Sequence, residues 1–167
     1  MRGLSAGGTC GAQRVCAMSG TARILVDGNA TGEVLRLTAP ISFWGGVDPA
    51  TGEIIANPHP QNGANIAGKI VVAPRIIGSS GTSAVMLELA YAGLAPKAVI
   101  LGEPDPILSV GSIVAREMGW PVAPVLVLEN LAFETGQWLE INGGEVTQIG
   151  DARPGLDPGP RSDLLRR

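Results

Sequence analysis

The chain has 167 residues, which suits one domain of ordinary size. Hydrophobic residues make up 45% of it and charged residues only 16%, below the about 25% typical of soluble domains, so some apolar surface is expected to meet a partner. Net charge is −3 with no Lys/Arg cluster interleaved with aromatics, which argues against nucleic acid; no apolar run approaches the roughly 20 residues a membrane span needs.

Residues 1–20 are small, polar and Gly-rich without a period, and are expected to form a disordered arm. The arm lacks the apolar segment of a secretory signal, so the chain reads as cytoplasmic. It holds the two cysteines, Cys10 and Cys16. Two thiols cannot complete a four-ligand metal site, and a disulfide is poorly motivated in a cytoplasmic chain, so they read as free thiols.

Residues 21–26 (TARILV) read as a first strand, Asp27-Gly28-Asn29 as a turn, and residues 32–38 (GEVLRLT) as a second strand. Residues 39–65 then have the composition of a long loop, rich in Gly and Pro. Long loops without secondary structure are uncommon unless functional. This one carries Phe43 and Trp44, followed by Gly45 and Gly46, whose missing side chains let a backbone or ligand come close. Phe43-Trp44 fits either a hydrophobic plug beneath the loop or a pocket wall.

Residues 68–73 (GKIVVA) read as a short buried strand. A Gly78-Ser79-Ser80-Gly81 turn follows, then a helix over residues 81–92 that is apolar on nearly every side and so expected to be buried on several of them. Gly93 is a C-terminal stop signal. Residues 97–101 read as a strand, Glu103-Pro104-Asp105-Pro106 as a rigid loop, residues 107–118 as a second helix ended by Gly119, and residues 122–128 as a strand. Residues 129–135 read as a short helical turn. Residues 137–141 and 145–149, around Asn142-Gly143-Gly144, form the clearest hairpin. The Pro/Gly/Arg-rich residues 151–167 are expected to be a disordered tail. This order predicts a single α/β domain over residues 21–150: a mixed sheet or small barrel with helices on one side.

The inventory for chemistry is short. The single histidine, His59, sits in Asn57-Pro58-His59-Pro60 and reads as a loop or substrate-contacting residue rather than a base. Gly78-Ser79-Ser80-Gly81 is one residue short of a nucleophile elbow. Neither a phosphate loop nor a dinucleotide fingerprint is present. What remains is Ser79, Ser80, Thr82 and Ser83 at a helix start. That pattern fits an ordinary serine cap. It also fits an anion site in which helix N–H groups stabilise a negative charge, with Arg75 the nearest cation in sequence.

SFWGGVDPATGEII, the Asn57-Pro58-His59-Pro60 loop, GKIVVAPRIIGSSGTSAVMLELAYAGLAPKAVIL and SVGSIVAREMGWPV together resemble the small, swivelling-domain subunit of aconitase X. The resemblance covers residues 21–149 and is strongest over 42–122. It implies the swivelling β/β/α domain of the aconitase superfamily. It also implies a hydro-lyase whose iron–sulfur cluster is ligated by a large partner subunit and not by this chain. In aconitases proper the corresponding turn reads Gly-Ser-Ser-Arg and its first serine is the base. Carried over, that serine is Ser79, while Gly81 stands at the arginine position, so the substrate should differ from citrate. Trp44, Gly45 and Gly46 would wall the pocket, Ser80 and Thr82 could donate hydrogen bonds to a small hydroxy-carboxylate substrate, and this chain would supply no metal ligand.

Two activities are associated with the family, dehydration of cis-3-hydroxy-L-proline and of phosphomevalonate. The Ala/Gly/Arg-rich ends suggest a bacterial chain and tilt the reading to hydroxyproline. A phosphohistidine swivel domain would need a histidine on the turn, where Thr82 and Ser83 stand. A non-catalytic small-molecule-binding or regulatory domain is the alternative of another class.

Overall fold

The computed structural model describes residues 19–150. The arm with Cys10 and Cys16, apart from its last two residues, and the tail after residue 150 lie outside that range. The described residues hold eight strands and two α-helices: β1 (Ser19–Thr21), β2 (Arg23–Val26), β3 (Asn29–Arg36), β4 (Ile70–Ala73), α1 (Gly81–Tyr91), β5 (Ala98–Leu101), α2 (Pro106–Glu117), β6 (Val125–Val127), β7 (Trp138–Asn142) and β8 (Glu145–Gly150). None of the helices is long and apolar enough to cross a membrane.

The strands form one sheet in the order β1-β8-β7-β3-β4-β5-β6-β2. β3 joins its two parts. Asn29 to Glu33 pair antiparallel with β7, and Val34 to Arg36 pair parallel with β4. β4, β5 and β6 are mutually parallel, and β2 returns antiparallel on β6. The first expected strand is in fact two. It breaks at Ala22, so that β1 lies on β8 while β2 lies on β6, and the chain passes from one end of the sheet to the other, nearly closing a barrel.

Alternation along the parallel strands sorts two cores. Val71, Ala73, Val99, Leu101 and Val125 meet Val85, Met86, Leu89 and Leu108 of the helices. Ile70, Val72, Ala98, Ile100 and Leu126 point the other way, to Leu139, Ile141 and Val146 of the hairpin. The expected architecture, a mixed sheet approaching a barrel with helices on one side, is therefore the one observed.

Local departures have physical causes. β3 begins at Asn29, three residues earlier than expected, because its leading residues pair with β7. β6 is confined to Val125–Val127, since Pro121 and Pro124 have no N–H to donate to a ladder. Residues 129–135 form no helical turn. Tertiary anchors hold them instead: Phe133 is buried in the second core, Glu134 pairs with Arg36, and Thr135 Oγ1 accepts the Arg36 N–H at 3.0 Å.

Both helices end as the glycines predicted. Gly93 and Gly119 have φ of +71° and +73°, and the next residues close the turn, Leu94 N to Leu89 O at 2.8 Å and Trp120 N to Ala115 O at 2.9 Å. α2 starts at Pro106 because Asp105 caps it. α1 is buried on one face only, through Thr82, Val85, Met86, Leu89 and Ala90. The two helices cross tightly at Gly111, where a Cβ would stand 2.9 Å from Met86 Cβ and from Ser83 O.

Candidate active site

The Ser79 turn lies beyond the carboxyl end of β4, the side of a parallel sheet where ligand sites usually form. Two fastenings position it. The Gly102 N–H, just past β5, lies 3.1 Å from the carbonyls of both Ala73 and Pro74. Further along, Ile76 bridges Ile41 in parallel and Ile77 N donates to Ile41 O at 2.7 Å. The second contact docks the start of the 39–65 loop against the turn.

That loop is folded around its own apolar residues. Phe43, Val47, Ile54 and Ile66 are buried and join the helix-side core. Short bridges between Val47 and Ile54 and between Glu53 and Asn65 close it. His59 serves it as a clasp. Its Nδ1 accepts the Gln61 N–H at 3.1 Å, which leaves Nε2 as the donor to Ala39 O at 3.2 Å. Both ring nitrogens thus hold backbone, in keeping with a loop residue rather than a base.

The loop separates its two aromatic neighbours. Phe43 is fully buried, whereas Trp44 is 61% exposed. The plug reading therefore fits Phe43, and a wall is open to Trp44. The bend that turns Trp44 outward depends on the glycines. Gly45 has φ of +72°, and a Cβ on Gly46 would lie 2.1 Å from Ser42 O. The outward indole meets the first residue of α1: a Cβ on Gly81 would come within 2.5 Å of Trp44 Cε3. The position without a side chain is therefore filled by the Trp44 ring. Trp44, Gly45, Gly46, Ser79, Ser80 and Gly81 thus lie along two touching segments. The two segments were expected at one pocket, but the contact of the indole with Gly81 was not, because the Ile41–Ile76 bridge that docks them is a non-local pairing.

At the helix start, Ser79 is half-buried. Its Oγ accepts the Gly81 N–H at 3.2 Å and its carbonyl accepts the Thr82 N–H at 2.9 Å. An N–H donated to the hydroxyl oxygen favours its charged form. Ser80, the residue before α1, is exposed and makes no side-chain capping bond. Thr82 departs from the expected substrate-facing position: it is fully buried, and its Oγ1 has no hydrogen-bond partner. It faces the packing beneath the turn because it belongs to the inner face of α1, with Val85, Met86 and Leu89. Arg75 is exposed and, among the described residues, makes no ion pair.

The turn offers hydroxyls and backbone amides, not thiolates. The described residues contain no group of three or more His, Cys, Asp or Glu side chains able to hold a metal ion. This donor set does not fit the ligands of an iron–sulfur cluster.

Comparison with known proteins supplies the family. The profile of the aconitase X swivel domain matches residues 19–149. The chain is 39% identical over 144 residues to a cis-3-hydroxy-L-proline dehydratase of Pseudomonas aeruginosa, covering 85% of this chain but 25% of that protein. It therefore spans about a quarter of the length of that relative. It is 41% identical over 123 residues to the phosphomevalonate dehydratase small subunit of Thermococcus gammatolerans, covering 74% of this chain and 90% of that one. The crystal structure of Thermococcus kodakaraensis aconitase X in its holo form superposes with a TM-score of 0.72 at 35% identity, over 79% of this chain and 98% of that chain.

Proposed function

This chain belongs to the aconitase X swivel-domain family, and we propose that it is the small subunit of a hydro-lyase that works only with a large partner subunit. The observation that carries the reading is the half-built site. A serine sits at a helix start beside an exposed tryptophan, without metal-ligand side chains around it. Relatives that this chain covers over 90% and 84% of their own length are named as small subunits. The iron–sulfur cluster of such an enzyme would be held by the partner, since the residues of this turn do not fit it.

Within that assembly, Ser79 is the base. Its oxygen takes the proton from the carbon next to the substrate carboxylate. The freed electron pair becomes a carbon–carbon double bond as the neighbouring C–O bond breaks, and the hydroxide leaves as water once protonated. The Gly81 N–H on Ser79 Oγ and the positive end of α1 stabilise the charged oxygen before transfer. The Trp44 indole walls the site over Gly81, and the exposed Ser80 hydroxyl contacts substrate.

The substrate reading is cis-3-hydroxy-L-proline, supported by the dehydratase matched over 85% of this chain. Phosphomevalonate is the second reading, supported by relatives named as phosphomevalonate dehydratase small subunits, which this chain covers over 90% and 84% of their own length. The test is reconstitution with the large subunit from the same source and assay of both compounds. Ser79→Ala should lower kcat by about 10³-fold while the two chains still associate. Wild-type rates in that variant remove Ser79 from the role of base, and turnover by this chain alone refutes the shared site.

A further inference from the structure

The two helices share a pattern of outward positions: Ser80 just before α1, then Ala84, Glu88 and Tyr91 with the half-buried Leu87 among them, and Pro106, Val110, Ile113, Val114 and Glu117 from α2. On a soluble domain such positions are normally polar. Here Val110, Ile113 and Val114 are exposed, and so is Met118 beyond α2. Tyr91 is 76% exposed, and its ring packs on Trp120 at 5.2 Å between centroids. Leu87, Glu88, Tyr91 and Trp120 line one shallow groove.

We infer that this outer helical face, running from Ser80 down α1 to the Tyr91–Trp120 pair, is where the large subunit seats; the inference rests on the two-chain function proposed above. Continuity is the first argument. The stripe begins at the residue next to Ser79, and α1 extends it by about 16 Å. A partner completing the site over the helix start therefore lies directly against it. Chemistry is the second. An exposed tyrosine packed on a half-buried tryptophan, beside exposed aliphatic residues, has the makeup of an interface anchor. Glu88 is the one charge in the α1 stripe. The matching surface is an apolar groove with a basic residue opposite Glu88.

The experiment titrates this chain into a fixed amount of the large subunit and reads activity and association. Tyr91→Asp should raise the concentration for half-maximal activity at least tenfold, with kcat at saturation within twofold of wild type. Tyr91→Phe, which keeps the ring on Trp120, should behave as wild type. The folded state of Tyr91→Asp is checked by a cooperative melting transition above the assay temperature and a wild-type circular dichroism spectrum, with assays run below that transition. Wild-type association of folded Tyr91→Asp overturns the inference while leaving the shared-site function standing. Failure of the wild-type chain to associate with the large subunit overturns both. Two other results also overturn it. A dimer of this chain dissolved by Tyr91→Asp gives the face to a second copy. Faster hydrogen exchange over α1 after removal of residues 151–167 gives it to the chain's own tail.

Discussion

The two helices enter the fold by the same route, each crossing between neighbouring parallel strands, yet their first turns are built in opposite ways. α2 is capped firmly. Asp105 has extended backbone and its carboxylate accepts the Leu108 N–H at 2.7 Å, with Pro106 in the next position. α1 has no such cap. Ser80 already has helical backbone and makes no side-chain bond, and the nearest substitute is the longer 3.2 Å contact from Gly81 N to Ser79 Oγ. A missing cap typically costs about 1 kcal/mol. The helix start that gives up this stabilisation is the one beside Trp44 and Ser79. No acidic side chain stands in its first turn, whereas the carboxylate of Asp105 neutralises the other helix end.

The sharpest way to break that difference is at Gly81. Alanine there brings a Cβ to within 2.5 Å of the indole, so Trp44 must move. The ring is exposed and can swing outward, and alanine favours the helix over glycine by up to about 1 kcal/mol. The melting temperature of Gly81→Ala should therefore hardly change, while the tryptophan emission shifts and kcat/KM of the assembled enzyme falls about tenfold or more. Unchanged emission and unchanged kcat/KM together would show that the Trp44–Gly81 contact shapes nothing.

Much of this arrangement was readable from local sequence. Gly93 and Gly119 marked the helix ends, the alternating hydrophobics gave the buried parallel strands, and Asn142-Gly143-Gly144 gave the hairpin. What escaped was non-local. The break at Ala22 is set by which neighbours β1 and β2 find at opposite ends of the sheet, and the irregular path of residues 129–135 by Phe133 and by the Arg36 contacts from β3. The Ser79 turn itself was legible from its Gly/Ser composition. Trp44 was expected as a pocket wall, but its contact with Gly81 was not, because the two lie 37 positions apart in sequence and meet through the Ile41–Ile76 bridge. The inward turn of Thr82 was missed for a different reason. In a helix apolar on nearly every side, periodicity cannot say which face is buried, and only packing against α2 and the sheet decides it.

Smaller effects test the caps directly. Asp105→Ala removes a buried bond at the start of α2 and should destabilise the chain by about 1–2 kcal/mol, seen as a fall of about 2–8 °C in melting temperature. Its effect on turnover at temperatures where the fold is intact should be slight. A stability change under about 0.3 kcal/mol would mean that the two helix starts do not differ as the bond geometry indicates.

The smallest expected effect is at Ser80. Its hydroxyl caps nothing, so Ser80→Ala should leave stability within about 0.5 kcal/mol of wild type, the usual range for an exposed substitution. An ordinary capping serine would lose about 1 kcal/mol. Any consequence should appear instead in the assembled enzyme, as a severalfold rise in KM with kcat nearly unchanged, the signature of a contact made equally in ground and transition states. A melting-temperature fall matching that of Asp105→Ala would make Ser80 an ordinary helix cap. The contrast between the two helix starts would then be one of degree, and the case for an amide-rich anion site at α1 would rest on Ser79 alone.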